Sequence, residues 1–364
     1  MGEKGRLRRI AAAGAGQLGG WKHWRKLRVA CLILVCALLI PPAAVAIYLW
    51  RQNSGTPDHA AHTRGQDAVW LGHAWVDGRK TEADLVALGK LLSDNGIRDL
   101  YVHTGPLDHD GTLPESLHPQ ARWFVETAHR LLPDIRVQSW LGDILAPEFD
   151  GLDVENAPTR DRVLGSVRQV LDLGFDGIHF DLEPVRSGSK GFLTLLDQTC
   201  AVTSGARRQL SVSAPVIDPL PGLHSVGLAV ADHGKWWSQA YFAEVARRVD
   251  QVAVMSYDTA MPWESLYGGY VAQQTRLALQ VTPPRVTLLM GLPAFWADDA
   301  GHHGAAETVA GAIRGVRLGV GRTDIHRAAF GVALYVDFTA TPEDWAVYSR
   351  DWGARVAVAE PVPR

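Results

Sequence analysis

His179, Asp181 and Glu183 stand two residues apart in the run Asp176-Gly177-Ile178-His179-Phe180-Asp181-Leu182-Glu183-Pro184. In an extended chain that spacing puts all three on one face and Ile178, Phe180 and Leu182 on the other. Ionisable groups turned toward an interior are costly unless they are paired or functional. The bland alternative is a buried polar ladder that satisfies itself; the favoured reading is a catalytic site. A second set, Val254-Met255-Ser256-Tyr257-Asp258, ends another apolar run. Alternation sends Met255 and Tyr257 to one side and leaves Asp258 at the loop junction.

Side chains on different segments need a scaffold to bring them together. From Val69 onward, short apolar or β-branched runs alternate with longer amphipathic ones, the pattern of β-α units around a parallel sheet. The expected strands are Val69–Trp75, Arg98–His103, Arg136–Leu141, Gly177–Glu183, Gln209–Pro215, Gln251–Tyr257, Arg285–Leu292 and Gly331–Asp337. Helical patterns lie near 81–94, 120–132, 159–173, 189–203, 238–249, 265–280, 305–318 and 342–351. Thr81-Glu82-Ala83-Asp84 reads as a helix start, and Gly96 and Gly174 as stops just before strands. Eight such units in 296 residues fit a (β/α)8 TIM barrel. A doubly wound open sheet is the alternative, but no Gly-rich phosphate turn follows the first strand. In a barrel, sites form at the C-terminal ends of the strands, where both sets fall.

These segments resemble glycoside hydrolase family 18, the chitinase and endo-β-N-acetylglucosaminidase family. The fourth strand is similar to its D-G-x-D-x-D-x-E signature and Met255-Ser256-Tyr257-Asp258 to its M-x-Y-D. Gly291-Leu292-Pro293-Ala294-Phe295 and Leu210-Ser211-Val212-Ser213-Ala214-Pro215 resemble its seventh and fifth strands. The likeness spans the barrel, and the two acidic motifs together are its specific part. It implies Glu183 as the general acid on the leaving glycosidic oxygen. Asp181 would hold the substrate's acetamido group while that group's carbonyl attacks the anomeric carbon. Tyr257 would support the carbonyl, and Asp258 would contact the sugar or the acid. The nucleophile then belongs to the substrate, an exception to the two-carboxylate pattern. Consistently, the seventh strand ends without the second carboxylate a two-carboxylate retaining enzyme needs; Asp298 and Asp299 come later and read as rim residues.

Two positions depart from the family. His179 replaces the middle aspartate, which in the family exchanges a proton with the acid two residues on. A histidine can take over that shuttle, since it titrates near neutrality, or lock Asp181 in an ion pair. Tyr335 stands on the eighth strand where the family has a Trp flooring the subsite at the scissile bond; a Tyr still stacks on a sugar.

Trp75, Trp140, Trp236, Trp237, Trp263 and Trp296 fall at strand ends or in the loops after them. Sugar C–H faces stack on such rings, while packing is the competing explanation for each. Trp263 and Trp296 directly follow motifs and are the preferred platforms, with Met255, Tyr335 and Trp140 as further substrate contacts. The 14 histidines invite a metal reading, yet no strand carries His-x-His, and His302-His303 lies in a loop where both cannot easily face one ion. No metal and no cofactor is expected.

Net charge is −3 over 364 residues, but residues 1–28 carry +7 and the remainder −10. The uncharged run Val29–Trp50 follows, and its 22 residues can cross a bilayer core. The basic segment therefore reads as a cytoplasmic flank rather than a nucleic-acid arm; there is no phosphate loop and the body is acidic. Expected organisation is a flank (1–28), a signal anchor (29–50), a solvated linker (51–68) and the barrel (69–364), single-pass with the barrel outside the cytoplasm. The alternative is a cleaved signal with a break at Pro41-Pro42 and cleavage after Ala46. Cys200 is the lone body cysteine, so stability rests on packing. Function is expected to be hydrolysis of β-linked N-acetylglucosamine glycans such as chitin, peptidoglycan or N-glycan cores, or alternatively lectin-like binding of them.

Overall fold

The computed structural model describes residues 4–225 and 235–353, so the expected barrel end at 364 lies outside the described residues. Two compact units divide the chain, Met1–Arg51 and Gln52–Arg364.

The described part of the first unit belongs to helix α1, which in full extent runs Lys4–Asn53. Its stretch Arg28–Asn53 is long and apolar enough to cross a membrane, and its Leu and Ile side chains from Leu32 to Ile40 are exposed. The break expected for a cleaved signal at Pro41-Pro42 is absent, because both prolines lie inside the continuous helix. A long apolar helix tolerates Pro when neighbouring backbone re-satisfies the freed carbonyls.

The second unit is a closed parallel barrel in the order β1-β2-β3-β4-β5-β6-β7-β8. Its strands are β1 Asp67–Leu71, β2 Ile97–His103, β3 Arg136–Ile144, β4 Gly177–Glu183, β5 Gln209–Ala214, β6 Gln251–Val254, β7 Thr287–Pro293 and β8 Phe330–Tyr335. Around them run α2 Glu82–Asn95, α3 Ala121–Leu131, α4 Ala157–Asp172, α5 Lys190–Gly205, α6 Gln239–Ala246, α7 Glu264–Val281, α8 Val309–Gly321 and α9 Pro342–Asp351. The boundaries follow local chemistry. Thr81 and Asp84 form a reciprocal capping box at the start of α2, and Thr341 with Asp344 does the same at α9, where Pro342 opens the helix. Gly96 ends α2 at φ +72°, a left-handed conformation that glycine adopts without strain.

Two strands stop three or more residues before their expected ends. β1 stops at Leu71, and His73–Trp75 form a 3-10 turn; β6 stops at Val254, leaving Met255 to Asp258 in the following loop. The polar stretch read as a solvated linker also differs, because its carbonyls are gathered by arginines of the barrel. Arg314 donates to the carbonyls of Asn53 and Gly55 and Arg317 to that of Asp58, while Arg64 of the stretch itself donates to the barrel's Ile325 carbonyl. Ala61 is fully buried. Those contacts are made by the backbone, so they left no apolar periodicity to read.

Asp67 closes the barrel where β1 meets β8. Its carboxylate accepts from Thr63 Oγ1 at 2.5 Å, Trp352 Nε1 at 2.9 Å and Val332 N at 2.9 Å. Burial raises it from 3.8 to about 6, against the pull of these donors.

Candidate active site

A polar column runs up the barrel lumen, assembled from alternating inward positions of several strands. At its base Arg136 pairs with Asp99 at 2.5 Å, and Gln138 and Gln251 donate to the same carboxylate at 3.0 and 3.1 Å. Ser211 Oγ donates to Gln138 Oε1 at 2.7 Å and stands 2.8 Å from His179 Nδ1. His179 Nε2 accepts from Trp70 Nε1 at 3.0 Å and lies 3.0 Å from Ser213 Oγ. These partners assign the proton to Nδ1. The ring stacks on Tyr101 with centroids 3.7 Å apart, and burial holds its basicity well below the usual histidine range. The imidazole is therefore neutral and forms no ion pair with Asp181. At His179 the self-satisfied polar ladder is what the barrel contains.

Two residues further along the same face of β4, the column opens into a cleft of about 380 Å³. Asp181 and Glu183 on β4, Met255, Tyr257 and Asp258 after β6, and Tyr335 at the end of β8 all line it. Trp140 on β3 donates Nε1 to Asp181 Oδ2 at 2.9 Å, so this buried Trp orients a carboxylate. Asp181 Oδ1 is buried without a hydrogen-bond partner, an unusual state for a carboxylate oxygen. Burial raises the Asp181 carboxyl, with Ser213, Glu183 and Trp140 acting in the opposite direction.

Glu183 is open to the cleft, yet its carboxyl is crowded by the concave barrel mouth. That desolvation is the first cause raising it well above the usual carboxylate range, and the charge on Asp181 is the second. The carboxyl is reachable by a ligand yet favours its protonated form. The Tyr257 hydroxyl is likewise pushed up by burial, and Tyr335 to about 12. Tyr257 and Tyr335 stack with centroids 5.3 Å apart.

Gly291 makes room for this pair: a Cβ there would meet the Tyr257 ring at 2.7 Å and the Val254 carbonyl at 2.8 Å. Asp258 sits at φ +55° with a side chain 56% exposed. Its carboxyl is raised by desolvation and lowered by His302.

The structure thus brings Asp181, Glu183, Met255, Tyr257, Asp258, Tyr335 and Trp140 together, with His179 directly below. It does not bring Trp263 or Trp296 into the cleft wall. They are 64% and 75% exposed, and Trp296 lies over Gly304, where a Cβ would meet its ring at 2.8 Å. Trp75, Trp236 and Trp237 are committed to packing, their ring N–H groups bonded to Asp337, Tyr270 and the Val185 carbonyl.

Several residues in or behind the cleft were not singled out from sequence. Lys235 lines the cleft, and Ser213 lies between His179 and Asp181; the alternation of Ser211 and Ser213 was the available signal for the latter. His302, set aside in the metal argument, reaches Asp258 Oδ1 at 2.9 Å, and Glu307 Oε2 lies 3.6 Å from the same ring nitrogen. Among the described residues, Asp258, His302 and Glu307 form a set whose ligand-type atoms lie within 4.8 Å of one another. Both Glu307 oxygens already accept from Thr259 N at 3.1 Å. A larger hollow, about 1190 Å³, lies at the opposite end of the barrel near Arg98, Arg136 and Arg208; that end of a barrel serves stability.

Fold and cleft together define a (β/α)8 barrel with a carboxylate site at the C-terminal ends of its strands. Among solved structures, the chain is similar to the spore cortex-lytic enzyme SleL of Bacillus megaterium QM B1551, with a TM-score of 0.55 at 14% identity, over 79% of this chain and 74% of that one. It is also similar to a class V chitinase of Pseudomonas fluorescens Pf-5, with a TM-score of 0.53 at 13% identity, over 78% of this chain and 98% of that one. The chitinase of Chromobacterium violaceum ATCC 12472 gives 0.51 at 13% identity, over 79% and 98%. At these identities the likeness is one of fold. No family model and no curated protein matches the chain.

Proposed function

We propose that this barrel is a glycoside hydrolase acting on β-linked N-acetylglucosamine glycans by substrate-assisted retaining catalysis. The observation that carries the reading is the Asp181–Glu183 pair on one face of β4, with Tyr257, Tyr335 and Asp258 closing the same cleft. The chitinases and the cortex-lytic enzyme that share the fold support it.

Glu183, whose desolvated carboxyl keeps its proton, is placed as the general acid. It gives that proton to the glycosidic oxygen as the bond to the anomeric carbon breaks, while the substrate's acetamido oxygen forms the new bond to that carbon. Asp181, held by Trp140, orients the acetamido N–H, and the Tyr257 hydroxyl donates to the acetamido carbonyl. Water then attacks the anomeric carbon, displacing the acetamido oxygen, and returns a proton to the Glu183 carboxylate, restoring the acid. Asp258 contacts the sugar beside the scissile bond, and Tyr335, Met255 and the exposed Trp263 and Trp296 extend the binding surface. His179, neutral and turned to Trp70 and Ser211, touches Asp181 only by way of Ser213.

Incubating the purified protein with chitooligosaccharides and with muropeptides tests this reading. Product release that disappears in Glu183→Gln, with the fold retained by circular dichroism, is the expected result; unchanged release from that variant overturns the assignment. The same His179 geometry favours a second reading, a lectin-like barrel, since the ring is not bonded to Asp181. Binding of these glycans without cleavage supports that alternative. In either case α1 would anchor the chain in a membrane with the barrel outside the cytoplasm, unless cleavage after Ala46 releases it.

A further inference from the structure

Asp258 stands at the cleft on a turn that ordinary residues avoid. It and Ala260 both adopt φ +55°, and such conformations persist where the surroundings over-determine them. Here the determinants come from the loop between β7 and α8. Glu307, fully buried, accepts the Thr259 N–H with both oxygens, and Ala260 N donates to the Gly301 carbonyl at 2.9 Å.

That loop is itself closed. Asp299 Oδ1 accepts from Gly301 N at 2.6 Å and from His302 N at 2.9 Å, and Gly304 N donates to the Ala297 carbonyl at 2.8 Å. His302 is therefore carried on a fixed backbone. Its ring packs on Phe295 with centroids 4.3 Å apart, and Phe295 in turn meets the edges of Tyr257 and Tyr335 at 5.8 and 5.7 Å. Nδ1 points at Asp258 Oδ1, 2.9 Å away, whereas Nε2 is buried with no partner. Since a carboxylate only accepts, Nδ1 is the protonated donor.

We infer that His302, backed by Glu307, is a positioning residue that aims the Asp258 carboxylate into the cleft. The inference rests on the glycosidase reading for its kinetic consequence but not for its geometry. Asp258 is more than half exposed and, among the described residues, has one side-chain hydrogen-bond anchor, His302; the remaining described charges around it supply field rather than direction. These are Lys235 from the segment before α6, Asp299 from the His302 loop and Glu183 across the cleft. A donor fixed at one carboxylate oxygen is what converts a solvated aspartate into an oriented sugar contact.

The test compares His302→Ala, His302→Asn and His302→Gln in the full chain. Asn keeps a donor near the Nδ1 position, whereas Gln fills the site but carries its amide farther out, near Nε2. Loss of the Nδ1 donor is expected to lower kcat/KM for a chitotetraose substrate on the order of 10–100-fold in the Ala and Gln variants, with Asn restoring most of it. His302 favours the ionised form of Asp258, so its loss raises that group's proton affinity and moves the acid limb of the kcat/KM profile to higher pH. A 13C-carboxyl titration of labelled aspartate, assigned with Asp258→Asn, reads the same shift without turnover. If the wild type cleaves no glycan, the hydrolase reading fails and the titration still decides the role of His302. An Asp258 midpoint unmoved in both the Ala and Gln variants overturns the inference, as does an Asn variant no better than Gln.

Discussion

A carboxyl two residues from another on the same strand face cannot ionise independently of it. Asp181 and Glu183 share that face, and both crowding by the barrel mouth and the charge on Asp181 raise Glu183. Removing the charge with Asp181→Asn lowers the Glu183 proton affinity, so the acid form is lost at a lower pH. The alkaline limb of the residual activity is expected to move down, partially because desolvation, the larger cause, remains; a pH–rate profile of the variant checks the direction. The pair was legible in sequence because strand periodicity is local. His302 was not, since it lies 44 residues beyond Asp258 and meets it only when two loops fold over one strand end. The polar ladder and the catalytic set were weighed as alternatives for His179, Asp181 and Glu183, and the barrel places them at successive heights. His179 has its bonds filled by Trp70 and Ser211, while Asp181 keeps an oxygen unpartnered.

At the scale of elements, glycine placement and strand closure carry the consequences. Gly291 on β7 faces the Tyr257 ring, so Gly291→Ala forces that ring or the Val254 carbonyl to move. Such overpacking is expected to cost about 1–3 kcal/mol and to depress activity on chitooligosaccharides more than thermal stability alone explains; paired Tm and kcat measurements separate the two. Asp67, at the β1–β8 closure, gives a pH signature. Its carboxyl binds a proton more tightly folded than unfolded, so stability from this group falls as pH rises from 3.8 through about 6. Asp67→Asn is expected to flatten that dependence and, because its single amide oxygen cannot serve both carboxylate positions, to leave either the Trp352 or the Val332 N–H without its acceptor, at a cost of about 1–3 kcal/mol. Thermal unfolding of both proteins between pH 4 and 7 measures each effect. The strand pattern was readable to within a few residues because inward positions alternate with helix-facing ones that are apolar. The early ends of β1 and β6 were not, since Trp75, Met255 and Tyr257 continue the apolar alternation into loops.

Over the whole molecule, the charge asymmetry and α1 point one way. In the proposed reading, a +7 segment ahead of Val29–Trp50 would orient the chain with its N-terminus inside, which would put the −10 body on the other side. The expected result is a full-length chain that stays with membranes through an alkaline carbonate wash, with a barrel cut by protease added from outside. A soluble chain beginning at Ile47 by N-terminal sequencing would instead establish cleavage after Ala46. The barrel holds without a disulfide at Cys200, which is free, and its core is built from fully buried aromatics such as Trp70, Tyr101, Phe180 and Phe330.

Sequence alone determined the barrel, the eight repeating units and the carboxylates of β4, because each follows from hydrophobic period and from which residues share a strand face. Only the tertiary structure decided which way His179 turns, that Trp140 serves Asp181 while Trp263 and Trp296 stay outside the cleft wall, and that residues 52–66 join the barrel. These depend on bonds between residues far apart in the chain. A hydrogen-bond partner on another strand or loop leaves no periodic trace in the sequence that folds to meet it.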